Sequence, residues 1–361
     1  MKLLLRNLSV LAFLFLIVSC SKDDHDEYIE PEVIDPVTVD LSLVPYPKLS
    51  DYHFFDGEMN LLHPSVRLIP YQPSSQLFTD YASKARFLWI PEGTSAQYVS
   101  DSEPFEMPVG SVLIKNFFYS DTPNGRQLVE TRLMIRKADG WIFANYIWND
   151  EQTEAFYSTS DEIKTITFTQ NSTTRTIDYR IPSQNDCATC HNQNEVARPL
   201  GFKPQNLNNF IGYYPDDFDS NQLEYLSGHG IATGIPSNVV STVDYSDASQ
   251  PLDLRVRSYF DSNCAHCHSD GGTASYTVLR FGFNVTSDPS QMGVCVGATL
   301  EPPGFDHVKI VNPQNASGST LPFMMSTDIS FYMMPRIGRT IVHEEAVEMV
   351  NQWISSLPEC E

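Results

Sequence analysis

The sequence predicts a multidomain α+β protein, a β-rich N-terminal module of sandwich or meander type followed by a mainly α region. Three observations carry that prediction. Between Tyr46 and Ile181, apolar residues alternate at the period of a strand, punctuated by Gly-, Asn- and Pro-containing turns. Beyond Ile181 the composition shifts, and apolar residues recur at helical spacing at Leu252, Val256 and Tyr259/Phe260 and again through Val347, Val350, Ile354 and Leu357. The same region holds the pattern C-x-x-C-H twice, at Cys187-Ala188-Thr189-Cys190-His191 and at Cys264-Ala265-His266-Cys267-His268.

Residues 1–19 carry Lys2 and Arg6 ahead of the apolar run Leu11 to Val18, which is the form of a secretory signal. Ile17-Val18-Ser19-Cys20 resembles the lipobox of bacterial lipoproteins, and the resemblance implies a lipid on Cys20 that anchors the chain to a membrane. Residues 20–45 read as a tether, acidic from Asp23 to Glu27 and proline-rich from Glu30 onward. The acidic start also resembles the export signal that carries some bacterial lipoproteins to the outer face of the outer membrane.

The β-rich domain spans residues 46–181. Ser111 to Tyr119 reads as a strand before a Pro123-Asn124-Gly125 turn, and Val129 to Arg136 as a half-buried strand ending at Ala138-Asp139-Gly140. Trp141 to Trp148 is apolar on both faces, as a central strand would be. Ile163 to Thr169 pairs with Thr174 to Tyr179 across Asn171-Ser172-Thr173. Asn149-Asp150-Glu151 with Glu154 follows a strand and is either a solvated acidic loop or a carboxylate site, with no second acidic stretch to complete a cation cage. Phosphate-binding glycine loops and basic aromatic stripes are missing from the sequence.

Residues 182–249 form a first segment in which a polar loop from Pro182 leads straight into the Cys187 motif. Asp219-Ser220 can cap a short helix with Leu223 and Leu226, stopped by Gly228, and residues 236 to 250 read as linker. Residues 250–361 form a second segment, with a helix opened by Pro251 ahead of Cys264 and a last helix from His343-Glu344 to Pro358.

Two thiols two residues apart reach the two vinyl groups of one porphyrin, and the histidine that follows lies under the iron, so each motif reads as an attachment site for covalent haem c. Zinc ribbons place their two C-x-x-C pairs roughly 15–20 residues apart. Here 77 positions separate Cys187 from Cys264. A thioredoxin-like pair would follow a strand in a βαβ unit and would not need the histidine twice. Cys187, Cys190, Cys264 and Cys267 would therefore hold two haems, with His191 and His268 as proximal ligands.

Helix, C-x-x-C-H, long loops and a terminal helix in that order resemble a class I cytochrome c, and the resemblance implies a loop methionine as sixth ligand of the second haem. Met292, Met324, Met325, Met333 and Met334 are available. Met334-Pro335 followed by Gly338 matches the Met-Pro loop of such cytochromes, with Met333 as alternative and a packing role for both left open. Arg336 and Arg339 are candidate partners of haem propionates. For the first haem, His229 between Gly228 and Gly230 is one candidate sixth ligand, against His53, His63 or Met107 of the β-rich domain or no protein ligand. His266 reads as a surface residue.

Of the 7 cysteines, lipid and haems would use five, leaving Cys295 and Cys360 as the available disulfide pair in an oxidising compartment. With 45 acidic against 23 basic residues the formal charge is −22, which excludes nucleic acid as a partner and suits solubility or a basic redox partner.

Leu77-Phe78-Thr79-Asp80-Tyr81-Ala82, Arg86 to Gly93, Trp148 to Thr153, both motifs and Met334-Pro335 resemble an uncharacterised bacterial family of exported di-haem c-type proteins, over about Pro45 to Leu357. The resemblance implies the haem count and no established reaction. The expected function is electron transfer by an exported, lipid-anchored di-haem cytochrome c. The alternatives are a di-haem peroxidase or oxidase with an open first haem, and an envelope glycan- or partner-binding module with the haems as accessory.

Overall fold

Alternation in the first half of the chain produces one long antiparallel sheet in the computed structural model, which describes residues 34–213, 218–304 and 308–361. Cys20, the signal and the acidic stretch lie outside the described residues. Strand β1 (Ile69–Pro70) pairs with β2 (Ser83–Trp89), while β3 (Ala96–Gln97) stands apart. β4 (Val112–Thr122), β5 (Gly125–Lys137), β6 (Gly140–Trp148) and β7 (Ala155–Ser158) complete a sheet of order β1-β2-β4-β5-β6-β7. The expected turns are where the strands reverse, with Thr122 opposite Gly125 and Lys137 opposite Gly140. β8 (Glu162–Gln170) and β9 (Thr173–Ile181) form the expected hairpin, joined by Asn171 and Ser172 at φ 48° and 64°, the left-handed pair that a two-residue turn requires.

One face of the sheet is a dry core of Phe87, Ile114, Leu133, Ala144, Tyr146 and Trp148. It is covered by residues 37–68, including part of the stretch expected to be tether. Val37, Val39 and Leu41 pack on this core, Val44 is buried, and Asp35 accepts from Trp89 Nε1 at 2.9 Å. Residues 34–45 are thus a packed segment. Strand β5, expected half-buried, is covered on both sides. On its other face Met134 joins Leu88, Leu113 and Phe202 at one end, and Val129 joins Ile166, Phe168 and Tyr179 of the β8–β9 hairpin at the other.

The second half is a loop-rich region with short helices, and helix does not dominate it. α1 (Gln184–Cys190) is followed by the small hairpin β10 (Asn192–Gln193) and β11 (Val196–Ala197), then α2 (Pro204–Leu207). β12 (Phe210–Tyr213) pairs with β13 (Phe218–Asn221), and α3 (Gln222–Gly228) leads to β14 (Ala232–Thr233), which pairs parallel to β3. Asn221 caps α3 by accepting from the Leu223 and Glu224 amides, one residue beyond the expected Asp219-Ser220. Residues 236–250 are not free linker, since Val239 is buried and the Thr242 amide donates to Gln205 O at 2.9 Å.

α4 (Leu252–Asn263), α5 (Thr320–Ser326) and α6 (Glu344–Ser356) enclose a third core, in which Phe260 meets Trp353 edge to face at 6.3 Å. The first and last helices of this segment are in contact. Residues Asp35–Glu361 pack as one unit, and among the described residues no helix is long and apolar enough to cross a membrane.

Cys295 and Cys360 stand at disulfide distance, Cα to Cα 5.8 Å, across a separation of 65 residues. A bridge there removes freedom from the unfolded chain and ties the end of α6 to the loop that follows Met292. Cys360→Ser is expected to lower stability by about 2–4 kcal/mol in denaturant unfolding. An unfolding midpoint identical with and without reductant in the parent protein would refute the bridge.

Candidate functional site

Ser183 and Asp186 exchange hydrogen bonds in a capping box, the Asp186 amide donating to Ser183 Oγ and the Ser183 amide to Asp186 Oδ2, and this starts α1 just ahead of Cys187. The first motif is therefore helical where the sequence suggested a loop. Cys187 and Cys190, three positions apart on a helix, share a face. Asn194 and Glu195 at φ 52° and 65° reverse the chain, so that the Arg198 amide donates to His191 O at 3.0 Å. His191 Nδ1 in turn lies 3.0 Å from Arg198 O. A ring whose Nδ1–H donates to a carbonyl offers Nε2 as its free lone pair, the arrangement of a metal-binding histidine. Burial lowers the His191 pKa to about 3, which keeps the ring neutral.

The second motif begins where α4 ends, with the Cys264 amide donating to Phe260 O at 2.8 Å. His268 Nδ1 lies 3.1 Å from Thr277 Oγ1, whose hydroxyl donates to Ala274 O at 2.9 Å and so is left to accept from the ring. Here too Nε2 is the free nitrogen, and burial lowers the His268 pKa. Gly272 is needed locally, because a Cβ there would collide with the Cys267 carbonyl.

The fold brings the two motifs together. The Asn194 amide donates to Gly271 O and Gln193 Nε2 to Asp270 O, both at 2.8 Å. Side-chain donor atoms of Cys190, His266 and Cys267 all lie within 4.8 Å of one another. A hydrogen bond between the two thiols holds the Cys190 pKa up and the Cys267 pKa down. Burial raises Cys187 and Cys264. His266, expected at the surface, is half-buried in this cluster.

Both motifs line a cavity of about 410 Å³, within the range of built ligand sites. No protein family, curated protein or solved structure matches the chain. What the cavity holds must be read from its own chemistry.

Its wall on the sheet side is Arg86, Lys115, Arg132, Met134, Phe143 and Asn145, and the Phe143 ring lies 5.4 Å from that of His191. The lining also includes Pro335, Ile337 and Gly338, with Met334 itself outside it. The Met334 backbone is clamped on both sides, its amide donating to Met324 O at 2.9 Å and its carbonyl accepting from Arg339 Nε at 3.1 Å. Arg339, a candidate propionate partner, is buried and spends its donors on the carbonyls of Met324, Thr327, Met334 and Ile341. Arg336 is exposed and donates to Phe331 O.

His229 is exposed, stacked on Tyr225, and does not line the cavity. His53 and His63 are exposed as well, and Met107 is buried in the core that Met134 joins. Asn149 caps its own loop by accepting from the Thr153 and Glu154 amides, and Glu154 accepts from Ser50, so this cluster is a structural turn.

Sequence reading missed Asp80 and Asp261. Asp80 Oδ1 accepts from the Thr340 and Ile341 amides at 2.7 and 3.0 Å, fastening the sheet to the Met334 loop. Its place inside Leu77–Ala82 was the available signal.

Proposed function

We propose that the chain is an exported, lipid-anchored di-haem c-type cytochrome that transfers electrons to or from a partner protein. The observation that carries this reading is the meeting of two C-x-x-C-H segments, far apart in sequence, on one cavity. Each has its histidine Nδ1 engaged by an acceptor. Haem c, when bound, supplies an iron that cycles between ferric and ferrous states. The chain's residues would do the rest: four thiols would attach, His191 and His268 would present neutral Nε2, and Met334, whose neighbour Pro335 lines the cavity, would be the sixth ligand on a clamped backbone. Cys190 and Cys267, which would attach different haems, lie beside each other, and this supports two such groups being held as neighbours. Nothing further is assigned to the partner than a surface able to approach a strongly acidic protein.

One observation favours a second reading. Cys190, His266 and Cys267 are also a three-ligand set for a soft metal such as zinc. That set leaves Cys187, Cys264 and the tethered rings of His191 and His268 without a role, so the haem reading accounts for more of the site.

The test is a pyridine haemochrome count on the exported protein, with visible and spin-resonance spectra. Two covalent haems per chain, neither of them reacting with hydrogen peroxide, are expected. A high-spin haem that reacts with peroxide would move the chain to the peroxidase class, and bound zinc without covalent haem would support the thiolate site. Met334→Ala is expected to remove the weak red absorbance of ferric methionine ligation and to lower one potential, since a thioether favours ferrous iron. Persistence of that band would assign the ligand elsewhere.

A further inference from the structure

Six lysine or arginine side chains line the cavity, and four are matched by carboxylates. Arg132 pairs with Glu130, Arg198 with Glu103, Lys203 with Asp261 and Arg280 with Asp270. Arg86 and Lys115 are different. Arg86 is 5% exposed, and the one hydrogen bond its side chain makes among the described residues goes to a neutral oxygen, Gln76 Oε1, at 3.2 Å. Lys115 Nζ feels Glu130 but makes no close ion pair among the described residues, and it sits over the Phe117 ring at 4.9 Å.

Their placement makes the pairing problem acute. Arg86 stands directly opposite Lys115 across β2 and β4, and Lys115 directly opposite Arg132 across β4 and β5. The row ends on β6 at Asn145, which is 4% exposed and whose Oδ1 has no hydrogen-bond partner among the described residues. Like charges directly opposed on neighbouring strands repel, and a cation withdrawn from water needs an anion. A chain with 45 acidic residues is not short of carboxylates. The anion belongs to whatever fills the cavity.

We infer that Arg86 and Lys115 seat the carboxylates of the haem attached to Cys187 and Cys190. The inference rests on the di-haem reading. Haem one is chosen because the row next to these cations on the same face, Leu113, Met134 and Phe143, meets the His191 ring through Phe143. Arginine matches a carboxylate with two parallel donors, and lysine adds a point charge beside it. The β-rich domain is then a wall of the first haem site, and its cations favour the ferrous state by placing positive charge near the iron.

The experiment is a spectroelectrochemical titration of the holoprotein carrying Arg86→Gln, Lys115→Gln and both. One of the two couples is expected to fall by ~59 mV for the double variant, a roughly tenfold rise in its oxidised-to-reduced ratio at a fixed applied potential for one electron. Lys115→Arg should restore the parent value, because it keeps the charge. In a chain that lacks Cys187 and Cys190, the remaining couple should ignore Lys115→Gln. Unchanged couples in the double variant, or a Lys115→Arg shift as large as that of Lys115→Gln, would overturn the inference. Should Arg86→Gln not accumulate, the two Lys115 variants decide alone. A parent protein with no covalent haem would fail the di-haem reading itself, whereas two haems with insensitive potentials would fail only the assignment of Arg86 and Lys115.

Discussion

A chain carrying Cys187→Ser and Cys190→Ser is expected to emerge with half the covalent haem of its parent, and Cys264→Ser with Cys267→Ser to do the same. All four together should leave none. The expectation follows from thioether chemistry, in which each porphyrin is held through two vinyl carbons and a hydroxyl cannot replace the thiolate nucleophile. It also follows from the way each histidine is positioned. His191 is tied to Arg198 and His268 to Thr277, in loops that do not depend on the other motif's cysteines, so each site should load alone. The spectra of the two half-loaded chains should therefore add up to that of the parent, apart from small shifts where Cys190 approaches Cys267. Full haem content in either double variant would show that its motif does not attach haem. Complete loss of both haems in either would show that the two sites load as one.

Elements governed by local pattern were legible. The hairpins at Pro123-Asn124-Gly125 and Asn171-Ser172 form where turn chemistry places them, and α4 and α6 form where apolar residues recur at helical spacing. α1 was not, because seven residues opened by a capping box are too short to display a period. Residues 34–45 read as tether because they continue the acidic, proline-bearing stretch that precedes them. Three of their apolar side chains, Val37, Val39 and Leu41, nonetheless alternate onto the sheet. Most of the candidate site depends on long-range register. Arg86, Lys115 and Arg132 each look like the solvent face of an alternating strand, and only the pairing of β2, β4 and β5 sets them in a row before the cavity. The approach of one C-x-x-C-H to the other has no local signature either. It depends on the Gln193–Asn194 turn meeting the Asp270–Gly271 turn, where a Cβ on Gly271 would strike the Asn194 side chain.

Asp261→Ala is expected to cost about 5 kcal/mol, and with it the fixed relation between the two motifs. Asp261 lies on α4 three residues before Cys264, and its side chain is 1% exposed. It accepts from Lys203 Nζ at 3.2 Å on both oxygens, from Gln205 Nε2 at 3.2 Å and Asn206 Nδ2 at 3.3 Å, and from the Phe283 amide at 3.1 Å. Lys203 to Asn206 follows the first motif and Phe283 follows the second, so one carboxylate joins the two chain segments. Alanine would leave a largely buried ammonium without its counter-ion and three further donors facing a void, which is the costly way to break a buried pair. Asn would do little better, since it offers one acceptor and turns an NH2 group toward donors. Thermal unfolding of the holoprotein should fall by on the order of 10 °C for either variant. Lys203→Met should cost less than Asp261→Ala, and Lys203→Met should partly relieve Asp261→Ala when the two are combined, because the stranded charge is then gone. A loss below ~1 kcal/mol for Asp261→Ala, or strictly additive effects in that cycle, would mean that the motifs are held together elsewhere.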